Sequence, residues 1–159
     1  SGTNIRKLSN LEAIVVTGGT RSRLLIHERW IDLPLIQGTE TTGANSVAIW
    51  NVPPRKSYIV VVGGDFRNDT SSNKNCAWSN DMGKTWNISS IPPHGYRSCV
   101  EFISADKLVT CGTSGIDISE DGGKSWQLSS RESFHVCRKA KAGKGVFLAV
   151  ANGRIAKMD

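Results

Sequence analysis

Apolar residues in this chain come in short alternating runs, not in stripes at helical spacing. Ala13–Thr17, Arg23–His27, Ser46–Trp50, Tyr58–Gly63, Ser98–Ile103, Lys107–Cys111 and Ile116–Ser119 set β-branched or aromatic side chains at alternate positions or in short blocks. Gly, Asn, Asp, Ser and Pro fill the intervals. Alternation puts one face of a strand in a core and the other toward solvent, whereas a helix needs apolar residues at i, i+3 and i+4. No segment carries the helical stripe. The chain reads as all-β.

Two segments repeat. Ser79-Asn-Asp81-Met-Gly83-Lys-Thr85-Trp86 and Ser119-Glu-Asp121-Gly-Gly123-Lys-Ser125-Trp126 both read S-x-D-x-G-K-[ST]-W, 40 residues apart. Each position has a physical task. The aspartate accepts hydrogen bonds from turn backbone, and glycine supplies the positive φ of a tight turn. Tryptophan opens the next strand and buries a large ring. A period of about 40 residues with short strands is the signature of a β-propeller with one four-stranded antiparallel blade per repeat.

The rest of the chain falls into the same register, as blades at approximately 4–36, 45–90, 95–130 and 133–159. In the first, His27-Glu-Arg-Trp30 stands where the motif would be, with the tryptophan kept and the aspartate lost. The last has strands Phe134–Lys139, Gly145–Val150 and Arg154–Lys157 and then stops. About three and three-quarter blades are expected, a partial propeller. An open arc leaves apolar blade faces in water, and exposing several hundred Å² at about 25 cal/mol per Å² costs on the order of 10 kcal/mol. The expected remedy is a missing N-terminal propeller half, or failing that a second copy of the chain.

Composition narrows the classes. The 159 residues are 38% hydrophobic with 16 glycines, and the net charge is +6. No apolar run reaches membrane-spanning length, and the polar opening Ser1–Asn10 lacks the apolar core of a signal peptide. The basic residues are scattered, so no nucleic-acid arm is expected, while an anionic glycan or an acidic protein fits the charge. Cys76, Cys99, Cys111 and Cys137 form no CxxC pair, so neither a metal site nor a cofactor is expected. Each lies in or beside an apolar stretch, which suits buried free thiols.

The stretch Val61-Val-Gly63-Gly-Asp65-Phe, the two repeated motifs, Gly95-Tyr-Arg97-Ser98, Ser133-Phe-His135-Val and Ala151-Asn-Gly153-Arg-Ile155 resemble a bacterial family of Asp-box (BNR) β-propellers. Its members are called oxidoreductases, glycosyl hydrolases or photosystem II stability/assembly factor-like proteins. The resemblance covers essentially the whole chain, including Ser1-Gly-Thr-Asn4, and corresponds to the C-terminal half of proteins about twice as long. It implies an exported protein, and a last blade closed by a strand from the N-terminus.

Propeller geometry indicates where a ligand would sit. Interblade links and second-to-third strand loops share one face, and the third-to-fourth turns lie on the other. Ser79, Asp81, Gly83, Trp86, Ser119, Asp121, Gly123 and Trp126 are therefore read as structural. The opposite face gathers the links Gln37–Asn45, Pro92–Arg97 and Ser129–His135 and the long loop Gly63–Asn75. Aligning the inner strands places Asn4, Asn45, Arg97 and His135 in one polar ring. Asp65, Arg67, Tyr96 and Arg154 come from loops on the same face, with Arg21, Arg23, Asp69, His94 and Glu132 nearby. Convergent polar groups over a concave channel define the expected ligand site.

Three function classes compete. A non-catalytic binding or scaffold propeller needs nothing beyond these features. A sialidase-like glycoside hydrolase acting on an anionic glycan would need an arginine cluster, a tyrosine nucleophile with a carboxylate partner, and a separate acid. Tyr96 and Glu132 are the residues available for those roles. A redox enzyme would need a dinucleotide fingerprint, a haem motif or a metal cluster, and none is written in the chain. The binding or scaffold module is the leading expectation, with no catalytic residue.

Overall fold

The computed structural model describes residues 3–8, 12–53, 56–143 and 145–159. The start of the opening Ser1–Asn10 segment lies outside them. Among the described residues, fifteen strands form four antiparallel sheets. Blade 1 holds β1 (Ile5–Lys7), β2 (Ala13–Thr17), β3 (Arg23–Ile26) and β4 (Arg29–Asp32). Blade 2 holds β5 (Thr42–Val52), β6 (Lys56–Asp65), β7 (Cys76–Ser79) and β8 (Asn87–Ile88). Blade 3 holds β9 (Cys99–Phe102), β10 (Leu108–Gly112), β11 (Gly115–Ser119) and β12 (Gln127–Ser130). Blade 4 has three strands, β13 (Val136–Lys139), β14 (Val146–Ala149) and β15 (Ile155–Met158). In every sheet the strands pair in sequence order, as in a partial propeller.

The alternation becomes the packing. Ile14, Val16, Leu24 and Ile26 of blade 1 meet Val47, Ile59 and Val61 of blade 2. Ala48, Val60 and Val62 from the other face of blade 2 meet Val100, Phe102, Leu108 and Trp126 of blade 3. Cys99, Val109, Cys111 and Ile116 then meet Cys137, Val146 and Leu148 of blade 4. Within β6 the run Ile59–Val62 is apolar without a break because blades 1 and 3 cover its two faces.

The two repeated turns have the same wiring. Ser79 Oγ accepts the Gly83 N–H at 2.9 Å, and Asp81 accepts from the Thr85 N–H at 2.9 Å and the Thr85 hydroxyl at 2.6 Å. Ser119, Asp121, Gly123 and Ser125 repeat these bonds at 2.9, 2.9 and 2.5 Å. Trp86 and Trp126 Nε1 donate to the Gly83 and Gly123 carbonyls at 3.0 and 3.2 Å. Thr85 and Trp86 thus belong to the turn, and the strand expected to open at the tryptophan begins one residue later, at Asn87 of β8. Blade 1 replaces the motif with a two-residue turn, His27 and Glu28, both left-handed at φ 49° and 60°.

Candidate functional site

The face opposite these turns carries a pocket of about 220 Å³. It opens where the start of β5 crosses the ends of β2 and β6, and Gly18, Gly43, Asn45, Gly64, Phe66 and Tyr96 are among its walls. Glycine is required where backbones cross. A Cβ on Gly18 would lie 2.7 Å from the Ala44 carbonyl oxygen, and one on Gly43 2.7 Å from the Gly18 Cα. The walls there are main chain packed against main chain. Asn45 is the extra residue of a bulge in the β5–β6 pairing between Ala44 and Ser46. Its Nδ2 donates to the Ser98 carbonyl at 3.2 Å. The Tyr96 phenol hydrogen-bonds Asn45, and burial raises its pKa against that bond. Phe66, exposed at the end of β6, meets the Tyr96 ring edge-on with centroids 6.5 Å apart.

Beneath Tyr96 lies a charged network. Arg97 and Asp117 are both fully buried. Arg97 Nε donates to Asp117 Oδ2 at 2.8 Å and its Nη2 donates to the same oxygen. Arg97 Nη1 donates to the Tyr96 carbonyl and to Ser114 Oγ, each at 2.9 Å. The other carboxylate oxygen holds His94 Nδ1 at 2.7 Å, leaving the half-exposed imidazole facing outward. Elsewhere Arg6 of β1 reaches Glu101 of β9 at 2.8 Å, with Arg138 of β13 at 3.2 Å. Burial raises the Glu101 pKa while the two guanidiniums pull it down.

The polar ring expected from alignment does not form as aligned. The N–H of Arg97 bonds to the carbonyl of Gly63, at the end of β6, and the N–H of Phe134 bonds likewise to Gly112, at the end of β10. Phe134, not His135, is thus the counterpart of Arg97, and both are buried. Arg97 faces Asp117 because a buried carboxylate on the apolar run Ile116–Ile118 needs a counter-charge. His135 is exposed, its N–H on the Ala149 carbonyl and its own carbonyl taking the Ser98 hydroxyl at 2.9 Å. Asn4 is half-buried on blade 1, its carbonyl accepting the Val16 N–H.

Of the loop residues, Asp65 caps its own turn by accepting the Arg67 N–H at 3.0 Å, and Arg67 is exposed. Arg154 stacks on Phe134 at 4.5 Å, within blade 4. Asn45 and Tyr96 are thus the residues of the expected set that line the pocket. Phe66 and Asp117 were not in that set. A lone acidic residue inside the strand Gly-Ile-Asp-Ile-Ser was the available signal for Asp117. Among the described residues no cluster of three His, Cys, Asp or Glu suits a metal ion, and all four cysteines are buried and free. Among the same residues no helix is long and apolar enough to cross a membrane.

Sheet order and blade packing define a partial β-propeller with a surface pocket at the strand ends. A structural neighbour agrees. The solved propeller structure of YCF48 bound to D1 peptide matches with a TM-score of 0.59 at 13% identity, covering 99% of this chain and 49% of that one. This chain therefore spans about half the length of that neighbour. No family model and no curated protein matches the sequence.

Proposed function

We propose that this chain is a non-catalytic propeller of the Asp-box type that works as a binding or scaffold module and takes a short peptide segment of a partner protein. The observation that carries the reading is the pocket between β2, β5 and β6. The pocket is a cleft open to solvent that can take a peptide side chain, and Phe66 beside Tyr96 offers an aromatic surface for it. The +6 charge favours an acidic partner, or an anionic glycan as the other ligand class. The peptide held by the neighbour YCF48 supports the same class of ligand. Arg67 and Asp65, in the loop that carries Phe66, would flank the bound segment, while His135 and Arg154 lie on blade 4.

The glycosidase alternative has weaker support. A tyrosine nucleophile needs a carboxylate partner, but the Tyr96 hydroxyl meets Asn45 and its pKa moves upward. Parallel screening on a peptide array and a glycan array, with a fluorogenic sialoside as substrate, separates the readings. Peptide binding weakened about tenfold by Phe66→Ala, a loss of about 1.4 kcal/mol, is the expected result. Sialoside turnover, or glycan binding with no peptide binding, overturns it.

A further inference from the structure

We propose that Cys99 is a peroxide-sensitive thiol that closes a reversible disulfide with Cys111 across β9 and β10. Three of the four cysteines meet in the core between blades 3 and 4, where Cys99, Cys111 and Cys137 are fully buried. Cys99 and Cys111 are direct partners in the antiparallel pairing of β9 with β10. Such partners share a face of the sheet, with Cα atoms about 4.5–5.5 Å apart. A disulfide spans about 4.4–6.8 Å between Cα atoms, so the backbone spacing already suits one. Cys137 approaches from β13, and the Cys99 thiol donates to its carbonyl at 3.3 Å. Cys76 is the contrast. It is as deeply buried, but it sits in the core between blades 2 and 3 with no second cysteine.

Arg138 makes Cys99 the thiol that reacts first. Its Nη1 donates to the Cys99 sulfur at 3.3 Å and to Glu101 Oε2 at 3.2 Å. Its side chain is 37% exposed, so the group that touches the sulfur also reaches solvent and gives a small peroxide its route. Hydrogen bonds from Cys111 and Cys137 pull the Cys99 pKa down against burial, and the Arg138 charge adds to them. Burial pushes Cys76 the other way, up to about 12. The thiolate is the reactive form of cysteine. In the first step the Cys99 thiolate attacks a peroxide oxygen, and an S–O bond forms as the O–O bond breaks. Sulfur is oxidised to the sulfenic acid, and the departing oxygen takes up a proton to leave as water, or as an alcohol from an organic hydroperoxide. The Cys111 sulfur then displaces the hydroxyl group. An S–S bond forms, the S–O bond breaks, and the hydroxide leaves as water with the Cys111 proton. The Cys137 bond lowers the Cys111 pKa while Cys99 and burial raise it more, so loss of the Cys99 charge favours this step.

Thiol counting in denaturant, before and after hydrogen peroxide treatment of the folded chain, gives the test. The count should fall from four to two, with peptide mapping joining Cys99 to Cys111, and dithiothreitol should return it to four. Cys76→Ser should leave the disulfide unchanged, and Cys99→Ser should abolish it. Arg138→Met, which keeps a stem beside Cys99 without the charge, should slow disulfide formation about tenfold. The mapping of the wild-type chain needs no variant to fold. A count that stays at four overturns the proposal, as does a bridge through Cys76 or Cys137. Sulfinic or sulfonic acid in place of a disulfide overturns it too, and so does an unchanged rate in Arg138→Met.

Discussion

Arg97 and Asp117 stand 20 residues apart in sequence and form a fully buried ion pair where blade 3 is entered from blade 2. Asp117 is further satisfied by the His94 imidazole, and Arg97 by Ser114 and the Tyr96 carbonyl. Removing one partner leaves an uncompensated charge in a low dielectric. Arg97→Met should therefore cost about 3–5 kcal/mol in urea unfolding, and the double variant Arg97→Met/Asp117→Leu clearly less. A single and a double variant of equal stability would show the pair to be solvated in solution.

The two motif tryptophans differ in cover. Trp126 is buried and Trp86 is partly so, although both make the same bond to their turn carbonyl. Trp126→Ala should cost about 3–5 kcal/mol and Trp86→Ala less, because truncation of a buried aromatic leaves a cavity in proportion to its burial. Chemical denaturation of both variants measures the order.

Two adjacent glycines in the second turn separate backbone strain from crowding. Gly122 and Gly123 have φ of 76° and 90°. A Cβ on Gly122 meets nothing within 4 Å, whereas one on Gly123 falls 2.9 Å from Val60 Cγ2. Gly122→Ala should cost about 1 kcal/mol, from the left-handed conformation alone. Gly123→Ala should cost more, since Val60 belongs to the packed core between blades 2 and 3. Melting temperatures of the two variants test the ranking.

The turn aspartates set an acid limit. Burial raises the Asp81 pKa, but hydrogen bonds from Thr85, Ser79 and the Lys84 N–H together outweigh it and bring the group from 3.8 to about 2. Asp121 moves the same way, with burial opposed by Ser125, Ser119 and the Lys124 N–H. A carboxyl held lower in the folded state than in the unfolded one adds stability above the unfolded pKa. For Asp81 that contribution is complete above 3.8 and fades as pH falls through about 2. Unfolding free energy measured against pH should decline across this window. In Asp81→Asn/Asp121→Asn the decline should be shallower, from a lower value at neutral pH.

The sequence by itself determined what local chemistry can determine. Alternation placed β2 from Ala13 to Thr17 because side chains in a strand change face at every residue. The S-x-D-x-G-K-[ST]-W turns were legible because their bonds run only from Ser79 to Gly83 and from Thr85 to Asp81. The half-covered Trp30 could be read as a motif tryptophan, but its exposure could not, since exposure depends on which blade stands in front of it. Only the tertiary structure decided the site. Arg97, in the link before β9, pairs with Asp117 on β11, and Arg6 reaches Glu101 across 95 residues. The bulge that carries Asn45 shifts its strand by one residue, and Phe134 takes the place alignment gave His135. A shift of one residue reverses every side chain of a strand, so a ring of polar residues drawn from sequence spacing becomes, in the folded chain, a buried pair and a pocket.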